Sequence, residues 1–341
     1  MKKLFVTGAA GFIGSAFVRL ALSTYPACEI TNFDALTYAG NPDNVQGMDP
    51  VRYKFVRGDI VDREKVLAAL EPDTDTIINF AAESHVDRSI LSAGEFLRTN
   101  IIGTQVLLDA ARERGVRRFL QISTDEVMGS LPDDEGAFFT EDSPFAPNSP
   151  YAASKAAAEH LVRAAHHTFG LDTVITRCGN NYGPRQFPEK FLPLILSNTF
   201  NDEPIPIYGD GQNVRDWIHV DDHCRAILLA LEKGTSGAVY NFGARNEQRN
   251  LEVAWSVLDA LDKPRSLIRF VKDRPGHDRR YAIDPTKAET ELGWRPLETW
   301  ESGLHKTIRW YQENGEWIRR ARSGAYRDYY QRQYGMEAGK V

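Results

Sequence analysis

Two carboxyl groups and a hydroxyl stand side by side at Thr124, Asp125 and Glu126. They follow the apolar run at 118–122, which is typical of a buried strand, and α/β proteins place their chemistry at strand ends. An elimination of water needs an acid and a base that begin in opposite protonation states. Successive strand residues point to opposite faces, so the chain must turn here if both carboxyls are to reach one substrate. The structural alternative is an ordinary acidic pair at a loop or helix start.

A phenol and an amine lie four residues apart at Tyr151 and Lys155. They follow residues 148–150, which combine polar cap candidates with a proline in the first turn and so predict a helix start. Residues four apart share one face of a helix. A nearby ammonium stabilises a phenolate, so we expect Lys155 to lower the pKa of Tyr151 from about 10 and make it a proton acceptor.

A glycine-rich loop near the N-terminus predicts a dinucleotide site. The strand at 4–6 runs into Gly8, Gly11 and Gly14 and then into a helical pattern, which is the context that such a loop requires. Gly8 permits the tight turn, Gly11 lets backbone N–H groups approach a pyrophosphate, and Gly14 allows close helix–strand packing. The spacing is GxxGxxG rather than GxGxxG, so the glycines alone also fit a plain glycine-rich turn.

The ends of the following strands strengthen the dinucleotide interpretation. Asp34 ends the second strand, 20 residues after Gly14. An acid there accepts hydrogen bonds from a ribose diol and repels a 2′-phosphate, which predicts NAD over NADP. Asp59 and Ile60 suit an adenine amino group and ring face, although Asp59 also fits a helix N-cap. Small residues from Ala81 onward would let the backbone lie against the cofactor.

The composition excludes several classes of protein. The net charge of the 341 residues is −6, whereas a nucleic-acid-binding protein normally has a basic excess. Three widely spaced cysteines form no disulfide framework or zinc pattern, which favours a reducing cytoplasm. The paired residues His166 and His167 have no partner motif, so we predict no metal site. No apolar run approaches the ~20 residues that span a bilayer, and the N-terminus lacks a signal-peptide pattern.

Strand and helix patterns alternate regularly through about residue 178, which predicts an α/β fold with a doubly wound, Rossmann-type parallel sheet. Turns, prolines and aromatic residues are frequent after that point. We therefore assign residues 1–178 to a dinucleotide-binding domain, with segments at about 215–245 returning to it, including a strand near 239–243. Residues 179–341 mainly form a smaller C-terminal α/β domain for the substrate.

Two predicted helices and a loop surround this site. Residues 95–114 predict a long amphipathic helix, and the helix after Tyr151 is rich in alanine. The apolar stripe of the first helix comprises Leu97, Ile101, Thr104, Leu108 and Ala111. Packing within the subunit explains both helices, but we favour pairing with their copies in a second subunit. The loop at 130–149 could fold over the site, and the tail from Thr299 predicts a further helix.

Two arginine-containing turns lie in the substrate part, at 213–217 and 273–280. Neither forms a helical charge face, which makes a purely solvated role less attractive. The planar fork of an arginine guanidinium suits a diphosphate. These turns therefore predict a phosphorylated substrate.

These motifs resemble the extended short-chain dehydrogenase/reductases. The glycine loop, the Asp34 strand end and the Tyr151/Lys155 pair carry that resemblance. Longer strings resemble one family among them, the dTDP-glucose 4,6-dehydratases. The strings lie at 34–40, 81–89, 123–127, 180–184, 214–217, 273–280 and 323–326. The adjacent acid pair after Thr124 is the specific feature, because epimerases and reductases of the superfamily lack it.

The resemblance implies an NAD-dependent lyase of deoxysugar biosynthesis that converts dTDP-glucose to dTDP-4-keto-6-deoxyglucose and water. Tyr151, helped by Lys155, would take the proton of the sugar 4-hydroxyl as C4 is oxidised, and Thr124 would bind the oxygen at C4. Glu126 would remove H5 and Asp125 would protonate the departing 6-hydroxyl. Hydride would then return to C6, so that tightly bound NAD is regenerated in each turnover.

The resemblance also implies sets of binding residues. The residues expected to contact NAD are Gly8, Gly11, Phe12, Ile13, Gly14, Asp34, Ala35, Leu36, Thr37, Asp59, Ile60, Ala81, Ala82, Ser84, Thr99, Tyr151, Lys155 and Asn181. The residues expected to contact the nucleotide sugar are Ser84, His85, Thr124, Asp125, Glu126, Asn180, Lys190, Phe191, Pro206, Ile207, Tyr208, Arg215, Asn250, Asp273, Arg274 and His277. The implied fold is a Rossmann domain with strand order 3-2-1-4-5-6-7, a smaller C-terminal domain and a homodimer formed through a four-helix bundle.

Three positions depart from the family pattern. Met128 stands where tyrosine is usual, Gly179 where serine is usual, and Arg177 where some members have asparagine. Other functions stay open at this point. An NDP-sugar 4-epimerase shares the fold, NAD and the Tyr/Lys pair but does not need the acid pair, and a dehydratase could act on UDP-glucose. A dinucleotide-sensing module is a third class, but such modules tend to lose the tyrosine or the lysine.

Overall fold

The structure is a computed structural model that describes residues 2–133 and 136–322. Within these ranges the strands are β1 (Lys3–Thr7), β2 (Glu29–Asp34), β3 (Tyr53–Arg57), β4 (Thr76–Asn79), β5 (Arg118–Ile122), β6 (Asp172–Cys178), β7 (Asn180–Tyr182), β8 (Ile205–Tyr208), β9 (Val214–His219), β10 (Val239–Phe242), β11 (Glu247–Arg249) and β12 (Ile268–Val271). The α-helices are α1 (Phe12–Thr24), α2 (Arg63–Ala69), α3 (Val86–Leu91), α4 (Gly94–Phe96), α5 (Thr104–Arg114), α6 (Pro150–Phe169), α7 (Phe191–Phe200), α8 (Val220–Lys233), α9 (Asn250–Ala260), α10 (Trp300–Glu313) and α11 (Gly315–Ala321).

Seven parallel strands form the central sheet, in the order β10-β6-β5-β4-β1-β2-β3. This is the predicted order 3-2-1-4-5-6-7 with β10 as the seventh strand, so the predicted fold class is confirmed. The order reverses at β1, whose Leu4 lies opposite Ile30 of β2 on one side and Thr76 of β4 on the other. In open parallel sheets, ligands bind beyond the carboxyl ends of the strands at such a reversal.

Both faces of the sheet are covered, which explains the nearly continuous apolar character of its strands. Leu4 and Val6 of β1 pack with Phe17 and Ile227 from α1 and α8 on one face. Phe5 packs on the opposite face with residues of α5 and α6. The alternation of neighbouring residues between two cores fixes the register of each strand, because a slip of one residue would exchange the faces.

The second half of the chain builds a separate core beside the sheet. A three-stranded sheet, β11-β9-β7, and the two-stranded pair β12-β8 pack with α7, α9, α10 and α11. From the segment at about 215–245, α8 packs against α1, and β10 pairs with β6. Strand β9 belongs to the small sheet instead.

The helical region before β5 differs from its prediction in detail. The segment Leu97–Gly103 between α4 and α5 is π-helical. Within the predicted apolar stripe, Thr104, Leu108 and Ala111 are buried, whereas Leu97 is 47% exposed. The wider π turn changes the helical period, so one stripe cannot keep both ends of the region on the buried face.

Other expectations concern the connections. In the predicted loop at 130–149, the Leu131 N–H donates to the Arg280 carbonyl at 2.9 Å and the Phe139 N–H donates to the Ala282 carbonyl at 2.9 Å. The predicted helix after Thr299 is confirmed as α10, and its apolar side is buried. The string at 323–326 lies outside the described residues. Among the residues that are described, no helix has the length and apolar character needed to cross a membrane.

Candidate active site

A cleft with a volume of roughly 350 Å³ opens at the carboxyl ends of the central strands. The predicted site residues that line it are Gly8, Gly11, Phe12, Ile13, Gly14, Asp34, Ala35, Thr37, Asp59, Ile60, Ala81, Ala82, Ser84, Thr99, Thr124, Asp125, Glu126, Tyr151, Lys155, Asn180, Asn181 and Lys190. The fold therefore brings the glycine loop and the five proton-transfer candidates to one place. Leu36 does not line the cleft, and its backbone is left-handed, with φ +53°.

The glycine loop has the close packing that a dinucleotide cradle needs. Gly8 has φ +70°, and a Cβ placed there would come within 2.6 Å of the Ala81 nitrogen. A Cβ at Gly14 would lie 2.7 Å from the Ala9 Cα. Larger residues would thus push the turn away from β4 and helix α1 away from the loop. The loop leads directly into the N-terminus of α1, where backbone N–H groups and the helix dipole favour a pyrophosphate.

Asp34 lies at the tip of β2 beside this loop, as predicted. Its Oδ2 accepts a hydrogen bond from the Ala10 N–H at 2.9 Å, and its Oδ1 accepts one from the Leu36 N–H at 2.8 Å. Burial raises the pKa of the carboxyl, and these two backbone donors oppose the increase. The carboxylate is thus fixed between two loops, where its remaining lone pairs can accept hydroxyl groups of a ribose.

The chain turns at the acid pair, as both carboxyls require if they are to face one cleft. Strand β5 ends at Ile122, and Asp125–Met128 forms a 3₁₀ turn capped by Thr124. The Thr124 hydroxyl accepts from the Glu126 N–H at 3.3 Å and donates to Asp125 Oδ1 at 3.1 Å. Asp125 is 1% exposed, and among the described residues its Oδ2 has no hydrogen-bond partner.

The two carboxyls have different electrostatic surroundings. Burial raises the pKa of Asp125 well above its usual value, and the charge of Glu126 raises it further. Burial also raises the pKa of Glu126, but the positive charges of Arg274, Lys190 and Arg215 oppose that increase. The turn therefore combines a carboxyl that favours its protonated form with a neighbour whose anion is stabilised by cations.

Tyr151 and Lys155 lie on the first turns of α6, which begins where predicted. Ser149 caps the helix by accepting from the Ala152 N–H at 3.1 Å. The Tyr151 ring packs against Phe96 with ring centroids 6.3 Å apart. Lys155 Nζ donates to the Ile122 carbonyl at 2.7 Å, at the end of β5. This bond holds the ammonium at the strand end that carries the acid pair.

The expectation that Lys155 lowers the pKa of Tyr151 is wrong for the ligand-free chain. Burial raises the pKa of the phenol well above 10, and the negative charges of Glu126 and Asp125 add to the increase. Burial lowers the pKa of Lys155 to about 8, although the nearby Glu159 carboxylate opposes this. Sequence spacing predicted the neighbourhood correctly, but it contained no information about the desolvation of the pair.

Ten of the predicted substrate residues do not line the cleft. They are His85, Phe191, Pro206, Ile207, Tyr208, Arg215, Asn250, Asp273, Arg274 and His277. Lys190 Nζ donates to the Ser84 carbonyl at 2.7 Å, so these two predicted substrate residues of the cleft are in contact. The ring of Tyr208 packs edge-on against His277 with centroids 6.0 Å apart.

Two of these side chains are committed to other contacts. Ile207 is fully buried in the core of the second half. The Arg215 guanidinium donates to the carbonyls of Asp278 at 2.9 Å and Val214 at 2.7 Å, and lies 4.3 Å from the Tyr281 ring centroid. Arg274 has a different arrangement, since its Nη1 donates to Asp87 Oδ1 at 3.0 Å while its Nε is buried and, among the described residues, has no acceptor.

Some residues that line the cleft were missed in the sequence. They are Phe33, Ala39, Gly40, Gly58, Phe80, Glu83, Glu95, Ile122, Ser123, Cys178, Gly179, Gln186, Phe187 and Glu189. Half of them are adjacent in sequence to predicted residues, which is the signal that could have identified them. His223 gave no such signal, although it contacts Asn181: its Nδ1 lies 2.8 Å from Asn181 Oδ1.

The departures from the family pattern lie next to the site and are accommodated by packing. Arg177 forms a buried ion pair with Glu159 at 2.8 Å, and its Nη1 contacts the Met128 sulfur at 3.6 Å. A Cβ at Gly179 would come within 2.5 Å of the Asp216 carbonyl oxygen. A serine at that position would therefore require a backbone shift in this chain.

Comparisons with known proteins agree with this geometry. The family model described as GDP-mannose 4,6 dehydratase matches residues 5–307. A dTDP-glucose 4,6-dehydratase from Xanthomonas campestris pv. campestris is 49% identical, with 94% of this chain and 96% of the relative covered. The crystal structure of dTDP-glucose 4,6-dehydratase DesIV from Streptomyces venezuelae, with NAD bound, is 50% identical with a TM-score of 0.90, covering 94% of this chain and 99% of that chain. A UDP-glucose 4-epimerase from Thermus thermophilus, in complex with NAD, is 31% identical with a TM-score of 0.85, covering 92% of this chain and 99% of that chain.

The fold and the site define the class of the protein first. A Rossmann-type sheet, a glycine cradle and a Tyr/Lys pair at the strand ends are the features of an extended short-chain dehydrogenase/reductase. The matches at 44% to 49% identity over nearly the whole chain narrow the class further. The chain belongs to the dTDP-glucose 4,6-dehydratase family.

Proposed function

We propose that this chain is an NAD-dependent lyase that converts dTDP-glucose into dTDP-4-keto-6-deoxyglucose and water. The observation that carries the proposal is the contrast between Asp125 and Glu126. The first is buried, with a pKa well above its usual value, and the second faces three cations. An elimination needs both states at once, whereas an epimerisation at C4 needs neither.

The side chains divide the reaction between them. Thr124 binds the oxygen at C4, and Tyr151 accepts the proton of the 4-hydroxyl. Because the ligand-free phenol is held neutral, ligand binding must lower its pKa, and Lys155 lies one helical turn away to stabilise the phenolate. The ketone formed at C4 acidifies H5. Glu126 then removes H5, and Asp125 gives its proton to the departing 6-hydroxyl.

The cofactor site follows from the cradle. The loop from Gly8 to Gly14 would hold the pyrophosphate, Asp34 the adenosine ribose, and Asp59 with Ile60 the adenine. NAD, when bound, supplies the oxidant for C4 and the hydride that later reduces C6. The chain's contribution is to place the sugar against the acid pair in the cleft.

The two ligands would be bound by different parts of the chain. We propose that residues 1–178, together with the segments at about 215–245, form the NAD-binding domain, and that residues 179–341 mainly bind the nucleotide sugar. Lys190 and Arg274 from this second part are cations that face Glu126. The substrate diphosphate would therefore approach from the side of the cleft where positive charge is available.

The decisive test compares two nucleotide sugars. The purified protein is incubated with dTDP-glucose or UDP-glucose without added NAD, and the C6 proton signal is followed by NMR. We expect a new methyl doublet with dTDP-glucose and no net reduced cofactor. A galactose isomer that keeps its CH₂OH group would support the epimerase alternative, and a methyl product from UDP-glucose alone would reassign the nucleotide. If nothing changes, the experiment is repeated with added NAD, and continued absence of product would refute the dehydratase.

We also propose that two copies associate through the helices around residues 94–114 and α6, giving a four-helix bundle. Leu97 is 47% and Ile102 is 55% exposed, although both are large apolar side chains. Replacing both with glutamate should convert the protein to a monomer in sedimentation experiments, while the matched change of the exposed Leu297 should not. A wild-type monomer would refute this assembly without affecting the assignment of the reaction.

We place the protein in the cytoplasm. Cys28, Cys178 and Cys224 are buried free thiols. Such thiols persist in a reducing compartment. Fractionation of the producing cells would test this, and recovery of the protein in an oxidising compartment would contradict it.

A further inference from the structure

Asp87 forms hydrogen bonds with two segments that are distant from it in the sequence. It belongs to α3 in the first half of the chain and is 4% exposed. Its Oδ2 accepts a hydrogen bond from the Tyr208 hydroxyl at 2.9 Å, and its Oδ1 accepts one from Arg274 Nη1 at 3.0 Å. These donors come from sequence positions 121 and 187 residues away. One carboxylate thus holds two distant segments that were both predicted to contact the nucleotide sugar.

Arg274 has one guanidinium nitrogen without a hydrogen-bond partner among the described residues. Its Nη1 is occupied by Asp87, but its Nε is buried and has no acceptor among the described residues. Arg215 differs, because its guanidinium donates to the carbonyls of Val214, Asp278 and Arg279. Of the two arginines predicted to contact the nucleotide sugar, Arg274 is therefore the one with an N–H group left for a ligand. A guanidinium N–H is a suitable donor to a phosphate oxygen.

The turn that carries Arg274 is fixed through the second donor. The Tyr208 ring packs against His277, whose Nδ1 lies 2.6 Å from Asp273 Oδ1. A Cβ at Gly209 would lie 2.9 Å from Asp273 Oδ2, so the end of β8 and this turn approach closely. The hydrogen bond from Tyr208 to Asp87 therefore fixes the ring against which His277 of the turn 273–277 packs.

We propose that Asp87 is a positioning residue for diphosphate recognition, which orients the Arg274 guanidinium toward the nucleotide phosphates. This inference rests on the proposed function, since it takes a nucleoside diphosphate group as the ligand. Asp87 itself touches neither the sugar nor the reacting atoms. Its contribution is to reduce the freedom of Arg274 before the ligand arrives.

Arg274 is attracted electrostatically by two carboxylates, those of Asp87 and Glu126. The positive charge of Arg274 acts on Glu126, where it opposes the increase in pKa, and it also lowers the pKa of Asp87. Without the negative charge of Asp87, the guanidinium would be drawn toward Glu126 and away from the phosphates. Loss of Asp87 should therefore weaken ligand binding more than it weakens the fold.

The test measures how much the outer phosphate contributes to binding. Calorimetric titrations with dTDP and dTMP give the ratio of the two affinities for each variant. Asp87→Asn keeps an acceptor for Tyr208 and removes the charge, so dTDP binding should weaken about tenfold or more, as expected for a lost charged hydrogen bond. Binding of dTMP should change by no more than about twofold. In turnover, KM should increase while kcat stays within about threefold.

Two further variants complete the design. Tyr208→Phe should lower the dTDP-to-dTMP affinity ratio less than Asp87→Asn does. Glu203→Gln is the matched control, because it breaks a distant carboxylate–arginine pair with Arg322 (2.7 Å) and should lower stability without changing the ratio. An unchanged ratio in Asp87→Asn, or an equal loss of both ligands, would overturn the proposal and leave Asp87 a structural residue.

Other outcomes remain informative. If Asp87→Asn does not fold, Arg274→Lys keeps the charge but removes the fork, and an unchanged affinity ratio in that variant would refute the role of the fork. If the wild-type protein binds UDP instead of dTDP, the proposed nucleotide is wrong. The same comparison with UDP and UMP then decides the role of Asp87.

Discussion

Replacing Glu126 with glutamine should stop the reaction after oxidation at C4 and before loss of water. Glutamine keeps the shape of the side chain but cannot accept the H5 proton. The loss of a general base typically costs about 10²–10⁴-fold in rate. We expect the upper part of that range, because Asp125 is a poor replacement base. Burial is the main cause of its raised pKa, and this burial persists when the charge of Glu126 is removed.

The assay follows H5 rather than the final product. In heavy water the wild-type protein should incorporate deuterium at C5, since the base exchanges its proton with solvent. Glu126→Gln should abolish this incorporation. Asp125→Asn is the matched variant, because it keeps the base and removes the acid, and it should still exchange H5 while losing water slowly. Wild-type turnover in Glu126→Gln, or exchange that is lost only in Asp125→Asn, would refute the assignment of base and acid.

Three other predictions follow from the site and its surroundings. The rate of turnover should be bell-shaped in pH. It should decrease at acidic pH as Glu126, whose pKa is raised, becomes protonated, and at basic pH as Asp125, whose pKa is raised well above its usual value, loses its proton; a profile that keeps its acidic limb in Glu126→Gln would contradict this. Gly14→Ala places a Cβ 2.7 Å from the Gly8 carbonyl oxygen and should lower the NAD retained by the purified protein about tenfold or more, whereas Gly315→Ala, which meets no atom within 4 Å, should not. Arg177→Ala leaves Glu159 buried and unpaired, since the two side chains are 3% and 2% exposed, and should cost ~3–5 kcal/mol in the free energy of unfolding; a denaturant midpoint equal to that of the wild type would show that the pair contributes nothing.

The sequence was most informative where the signal is local. The glycine loop, the Asp34 strand end and the start of α6 depend on neighbouring residues, and all three lie where they were predicted. The parallel sheet followed from the alternation of patterns, and its strand order followed from the family resemblance. Such features are determined by period, capping and turn chemistry, which a single sequence contains.

The sequence was least informative where distant segments meet. Asp87 contacts residues more than a hundred positions away, and no periodicity in the sequence predicts such a contact. The raised pKa of Tyr151 depends on desolvation by surrounding elements, so spacing alone predicted the wrong direction. The exposure of Leu97 depends on a π-helical stretch that no residue type in the segment specifies.

The comparison with an epimerase locates the chemistry more narrowly than the fold does. A UDP-glucose 4-epimerase shares this architecture with a TM-score of 0.85 at 31% identity, so the sheet and the cradle cannot by themselves decide between the two reactions. The decision must lie in a few residues that change what happens after C4 is oxidised. In this chain Asp125 and Glu126 share one turn but have different charged neighbours. Under the proposed function, Glu126 would be the base at H5 and Asp125 the acid at the 6-hydroxyl. If this difference between the two carboxyls were removed while the Tyr/Lys pair stayed intact, we expect the same scaffold to oxidise C4 but no longer to eliminate water.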